Sequence, residues 1–136
     1  MQNKMFFLLK NPSNFRGVFY FILSIILLTL NSQAQLKFKD TKKNFGFVKK
    51  GEVVKIIFEY KNIGNKPIII TDAKAECSCT TIEYTKQPIS PNQTGIVTIL
   101  FDTKSVYDRQ ERAIELFSNS INSSQKLKFK GVVLNK

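Results

Sequence analysis

The chain has 136 residues, 43% of them apolar and 23% charged, with 21 Lys+Arg against 10 Asp+Glu and a formal net charge of +11. That is enough chain for one globular domain with a basic bias. There is no His, so the commonest general base and metal ligand is missing: Ser-His-Asp and Cys-His catalysis are excluded within the chain, and two thiols alone do not complete a zinc site in a monomer.

The N-terminus reads as an export signal. Lys4, Lys10 and Arg16 form a positive region, and Gly17 to Leu30 is a run of fourteen uncharged residues. Small residues at Ser32 and Ala34 make a cleavage site, with the cut between Ala34 and Gln35. The rival reading is an uncleaved anchor, but a spanning helix needs about twenty apolar residues and the run is shorter. No stable membrane span is expected once the signal is gone. The expected domains are therefore a signal peptide over 1–34 and one folded domain over 35–136. The chain after the cut holds 18 bases (21 − 3) and 10 acids, a net +8. Such a balance attracts anionic partners such as acidic polysaccharide, lipid headgroups or nucleic acid; the plainer reading is a solvated basic surface. The bases are spread along the chain without a block of five or six, and no nucleic-acid partner is expected.

After Gln35 the signals are those of strands. Leu36-Lys37-Phe38-Lys39 alternates apolar and polar, and Asn44–Val48 follows before a turn at Lys49-Lys50-Gly51. In Glu52–Asn62 the set Val54, Ile56, Phe58 and Tyr60 shares one face, which period-two spacing turns to a core. Asn62–Pro67 is a turn in which Gly64 and Asn65 are able to take positive φ.

Ile68 opens the next strand, which runs toward the two cysteines. Ala73, Ala75, Cys77 and Cys79 share a face, yet Ile68 and Ile70 have the opposite parity, so a bulge or bend is expected near Thr71-Asp72. Thr81–Tyr84 extends this strand. Pro88 and Pro91 mark a loop. Ile96–Asp102 directs Val97, Ile99 and Phe101 inward, and Arg109–Ser118 directs Ile114 and Leu116 inward. In the closing strand, Leu127, Phe129, Gly131 and Val133 oppose Lys126, Lys128 and Lys130, a pattern with one buried and one wet face. About seven short strands and no helix after Gln35 indicate an all-β fold, a single antiparallel immunoglobulin-like β-sandwich preceded by a hydrophobic signal helix.

Four pieces of the chain then carry a family likeness: Asn44–Glu52, Phe58–Ile68, Cys77-Ser78-Cys79-Thr80, and Pro88 through Gly95 to Phe101-Asp102. In this order they resemble the bacterial family called domain of unknown function 1573. The resemblance covers nearly the whole chain after Gln35, with Cys-x-Cys-Thr its most specific element. It implies an exported immunoglobulin-like sandwich, akin in shape to pilus-chaperone and cilia-associated (Hydin-type) modules, in a Gram-negative envelope, periplasmic or extracellular. Family members often carry Gly at the positions of Ser78 and Asn92.

Cys77 and Cys79 are the candidate redox or metal residues, and three readings stay open. They are two small buried side chains, since free Cys is among the most buried residue types. Or they form a disulfide, as export to an oxidising compartment invites. On a regular strand their Cα atoms stand about 6.6 Å apart, at the long end of the roughly 4.4–6.8 Å range of bridges, with the Cβ atoms too far apart, so closure needs a kink at Ser78. Or they are two thiolates for Cu(I), the one cofactor considered, with any further ligand supplied by a partner. No catalytic residue is assigned. The leading expectation is a non-enzymatic exported module that binds a protein or envelope component; the alternative is a thiol redox or Cu(I)-handling protein.

Overall fold

The structure is a computed structural model and describes residue 20 and residues 33–135. Residues 33–135 contain eight strands and no helix. They are β1 (Leu36–Phe38), β2 (Lys42–Lys49), β3 (Val53–Asn62), β4 (Ile70–Ala75), β5 (Thr80–Tyr84), β6 (Thr94–Asp102), β7 (Asp108–Ser118) and β8 (Ser124–Leu134). They form two four-stranded sheets, in the orders β1-β3-β6-β5 and β2-β8-β7-β4. The signal segment expected over 1–34 lies outside the described residues, apart from Tyr20, Gln33 and Ala34.

The period-two pattern decides what is inside. Ile56, Phe58 and Tyr60 of β3 are buried, with Val97, Ile99 and Phe101 of β6 beside them. From the second sheet come Ile114 and Leu116 of β7 and Leu127, Phe129 and Val133 of β8. The lysines between the β8 core residues are exposed, as clean alternation requires. Phe101 and Phe129 meet across the two sheets with ring centroids 5.4 Å apart, and Phe45 packs on both at 5.8 and 6.4 Å. Truncating a ring such as Phe129 costs about 3–5 kcal/mol in a core of this kind.

Three sequence expectations are corrected. First, Thr81–Tyr84 does not prolong the strand before it. It is β5, and it pairs with β6 in the opposite sheet; hence eight strands and not about seven. The chain changes sheets between Ala75 and Thr80. Second, the sandwich is not wholly antiparallel: β2 runs parallel to β8. β1 and β2 are successive but lie in different sheets, so β2 cannot fold back on β1 as a hairpin. It meets the far end of the chain instead, where no turn imposes opposite directions. Third, Gly64 is not at positive φ. It is there for close approach: a Cβ would collide with the backbone of Gln33–Gln35.

The bulge expected near Thr71-Asp72 is present as a register shift between Ile70 and Asp72. A second lies between Asn44 and Gly46, where Gly46 takes φ +76 and frees the strand to turn Phe45 toward the other rings. Asn92, in a position where relatives often carry Gly, has φ +66, a left-handed conformation that asparagine tolerates better than most residues.

Two buried polar side chains fasten the ends. The Asn62 amide donates to the carbonyls of Lys66 (2.7 Å) and Ile89 (2.9 Å), and its oxygen accepts from Gly64 N (3.0 Å). The Thr103 hydroxyl donates to Glu52 O (2.7 Å) and accepts from Gly51 N (2.9 Å). Fully paired, they carry no desolvation penalty.

Candidate functional site

Cys77 and Cys79 sit on the corner where the chain leaves β4 in one sheet and enters β5 in the other. The expectation that they lie within a strand is therefore corrected: Glu76–Cys79 is bend and turn. The inward sequence Ala73, Ala75 ends there because β4 has reached the end of its pairing with β7. The turn is closed by a hydrogen bond from Thr80 N to Cys77 O (3.3 Å) and tied to β6 by one from Asp102 N to Cys79 O (2.8 Å).

That bend brings the Cα atoms of the two cysteines to 5.3 Å, and the side chains form a disulfide. This is the kink at Ser78 that a bridge needs. Both cysteines are half-buried, and Cys79 packs on the core. Thiolates are the metal ligands, so Cu(I) binding by this pair would first require the bridge to be reduced. Among the described residues no group of three or more His, Cys, Asp and Glu is placed to hold a metal ion.

Three neighbours complete the corner. The Thr80 hydroxyl lies 3.5 Å from Cys77 Sγ and 3.9 Å from Cys79 Sγ. The Glu76 carboxylate accepts a hydrogen bond from Ala113 N (3.0 Å) and pairs with Lys126 Nζ (3.7 Å), which anchors the turn to β7 and β8. On the other side, Cys79 opens onto a surface depression of about 410 Å³ that also involves Ser78, Thr81, Asp102 and Lys104. Glu76 was not marked by sequence, because its partner is a backbone amide 37 residues away. Thr80 carried a signal as the residue that ends Cys-x-Cys-Thr.

Ala34 and Gln35, the residues flanking the expected signal cut, are part of the packed domain. Ala34 is 6% exposed and its carbonyl accepts from Ile121 N (3.0 Å). Gln33 O accepts from Asn65 N (3.1 Å) and Gln35 O from Ile63 N (2.9 Å). The compact unit begins at Gln33, two residues before the expected boundary. No helix among the described residues is long and apolar enough to cross a membrane.

Among the described residues one titratable group is displaced from its ordinary behaviour. Burial pushes the Tyr60 phenol above its usual value, and its hydroxyl is buried without a hydrogen-bond partner.

Solved structures share this arrangement. A protein of unknown function from Porphyromonas gingivalis W83 superimposes with a TM-score of 0.67 at 18% identity, over 75% of this chain and 48% of that one. The chain thus spans about half of that protein. The seventh PapD-like domain of human CEP192 gives 0.63 at 8% identity, over 77% of this chain and 89% of that domain. The Vibrio cholerae protease VesB gives 0.56 at 18%, over 85% and 35%. At these identities the likeness is one of fold, a PapD-like two-sheet architecture. No curated protein matches. The family model described as "Protein of unknown function (DUF1573)" matches residues 36–133, and the chain belongs to that family.

Proposed function

We propose that this chain is an exported, non-enzymatic immunoglobulin-like module with a binding or structural role in the cell envelope, its signal peptide removed between Ala34 and Gln35. The observation that supports the binding role is the edge of β5, while export rests on the N-terminal sequence pattern. Four strands are at sheet edges: β1, β5, β2 and β4. Natural sheets guard their edges with lysine, proline, bulges or shortness. β1 has three residues and carries Lys37. β2 has lysines and the bulge before Gly46, and β4 has Lys74 and the bulge before Asp72. β5, Thr-Thr-Ile-Glu-Tyr, has no lysine, proline or bulge, carries Glu83 as its one charge, and pairs regularly with β6. A bare edge accepts an added strand from a partner protein, which gains main-chain hydrogen bonds along it. The test is capture from an envelope fraction by the wild type and by a variant with proline inserted after Ile82, both checked for folding. A discrete partner held by the wild type and lost by the variant is expected; equal retention by both, or none by either, contradicts the reading.

A second reading, thiol–disulfide exchange, is favoured by the bridge itself. In the chain-entropy account a three-residue loop contributes only about 1.6 kcal/mol to stability, so the fold survives its opening. A thiolate of a partner dithiol attacks one sulfur, forms a mixed disulfide and releases the other cysteine as thiolate. The partner's second thiolate then attacks the partner's own sulfur in that mixed disulfide and expels the attacked cysteine as thiolate, leaving the partner oxidised and Cys77 and Cys79 reduced. Thiol titration in graded dithiol buffers tests this. Two thiols should appear while the circular dichroism is unchanged; a bridge that resists until the protein unfolds rules out exchange.

A further inference from the structure

We propose that the outer face of the β2–β8 pair binds an acidic polysaccharide. The inference rests on the reading of the chain as an exported binding module and gives it a ligand class on a surface separate from the β5 edge. It starts from the parallel pairing, which sets Lys42 of β2 directly against Lys128 of β8. Like charges opposed across a ladder are destabilising. Lys130 follows two residues on, about 6.6 Å further along the same face. Arg109 of β7 stands beside Val132 of β8. The ion pairs among the described residues are Lys39–Glu59, Lys104–Asp102 and Lys126–Glu76, and none involves these four cations. Glu111, opposite Lys130, is the acid nearest in register, so the cluster carries four positive charges against one negative, a net +3.

The face is also shaped. Lys42, Asn44, Glu111, Lys128 and Lys130 surround a shallow depression of about 280 Å³. A second, of about 220 Å³, adjoins it and shares Asn44 and Lys130, with Phe47 and Arg109 at its rim. Phe47 is 75% exposed, a large ring left in water next to cations. This set of groups matches a sugar acid polymer. Carboxylates spaced along the chain meet the lysines. The C–H face of a sugar ring lies on the electron-rich face of Phe47. The Asn44 amide offers neutral donors to hydroxyls. A membrane surface would use the charges alone, whereas Phe47 at the rim of the second hollow gives a sugar ring a flat face beside them.

The test measures binding of the purified protein to polygalacturonate at physiological ionic strength, with neutral dextran as control. Removing Lys42, Lys128 and Lys130 by alanine substitution is expected to weaken binding roughly ten-fold. Removing Lys37, Lys55 and Lys61, which are exposed on the outer face of the other sheet, takes away the same charge and should cost less than about two-fold. Phe47→Ala should weaken polygalacturonate binding about three- to ten-fold while leaving binding to inorganic polyphosphate unchanged. Equal losses in the two lysine triples would reduce the effect to net charge and overturn the proposal. So would tighter binding to vesicles of phosphatidylglycerol or to single-stranded DNA than to polygalacturonate, or no binding at all. The β5 insertion should not alter polygalacturonate binding; a protein partner captured through β5 alongside an inert lysine triple removes this inference alone.

Discussion

The β4–β5 corner and the β2–β8 face handle charge in opposite ways. At the corner Glu76 is used twice, by Ala113 N and by Lys126, and Lys74 lies over the Phe117 ring with 5.2 Å to its centroid. Across the same sheet, Lys42, Lys128, Lys130 and Arg109 have no carboxylate in an ion pair. The contrast follows from what each place must do. A chain that changes sheets leaves backbone groups without ladder partners and needs side chains to satisfy them. Apart from the bulge before Gly46, the β2–β8 ladder already pairs its backbone, so its outward side chains are free to serve something else. Pairing within the fold marks Glu76 as structural, and the four unpaired cations beside Phe47 and the two hollows are left for a ligand.

The largest expected effect is at the corner. Glu76→Ala should lower stability by about 2 kcal/mol in urea unfolding, mostly through the orphaned Ala113 amide, since the half-exposed Lys126 pair adds little. A loss below about 0.5 kcal/mol would mean that the turn holds without it. Next is the double Cys77→Ser, Cys79→Ser variant, expected to lose about 1.6 kcal/mol and to keep its fold; failure to fold would make the bridge a structural necessity. A chain starting at Gln33 should be about 1 kcal/mol more stable than one starting at Gln35, because the second lacks the carbonyl partners of Asn65 N and Ile121 N; equal melting curves would show that water replaces them fully.

The smallest effect sharpens the contrast from the inside. Tyr60→Phe removes a buried hydroxyl that has no partner, so at neutral pH stability should change by no more than about 0.5 kcal/mol, or rise. The wild-type phenol holds its proton more tightly folded than unfolded. As pH rises through about 10, the unfolded chain loses that proton first, and wild-type stability falls. Tyr60→Phe should lack this part of the alkaline loss. Superimposable alkaline curves would contradict the displaced titration.

Much of this architecture is legible in residue order. Val54, Ile56, Phe58 and Tyr60, and Leu127, Phe129 and Val133, announce their faces because alternation is a local property of strands. The bulge before Asp72 shows as a change of parity between Ile70 and Ala73. The corner is only partly legible. Thr81–Tyr84 continues the alternation of the strand before it, so nothing local reveals that the chain has changed sheets. Spacing on a straight strand keeps Cys77 and Cys79 too far apart to close, and the bend brings their Cα atoms to 5.3 Å. The β2–β8 face is less legible still. Lys128 and Lys130 stand out in β8, but Lys42 joins them only through parallel pairing across 86 positions, and such a register leaves no short-range trace.

The most direct test of the contrast is the urea unfolding midpoint of the Lys42→Ala, Lys128→Ala, Lys130→Ala variant. If these lysines hold nothing inside the fold, the midpoint equals or exceeds that of the wild type, because opposed like charges have been relieved. A loss of more than about 1 kcal/mol would show that they are structural residues after all, and would contradict the assignment of this face to a ligand.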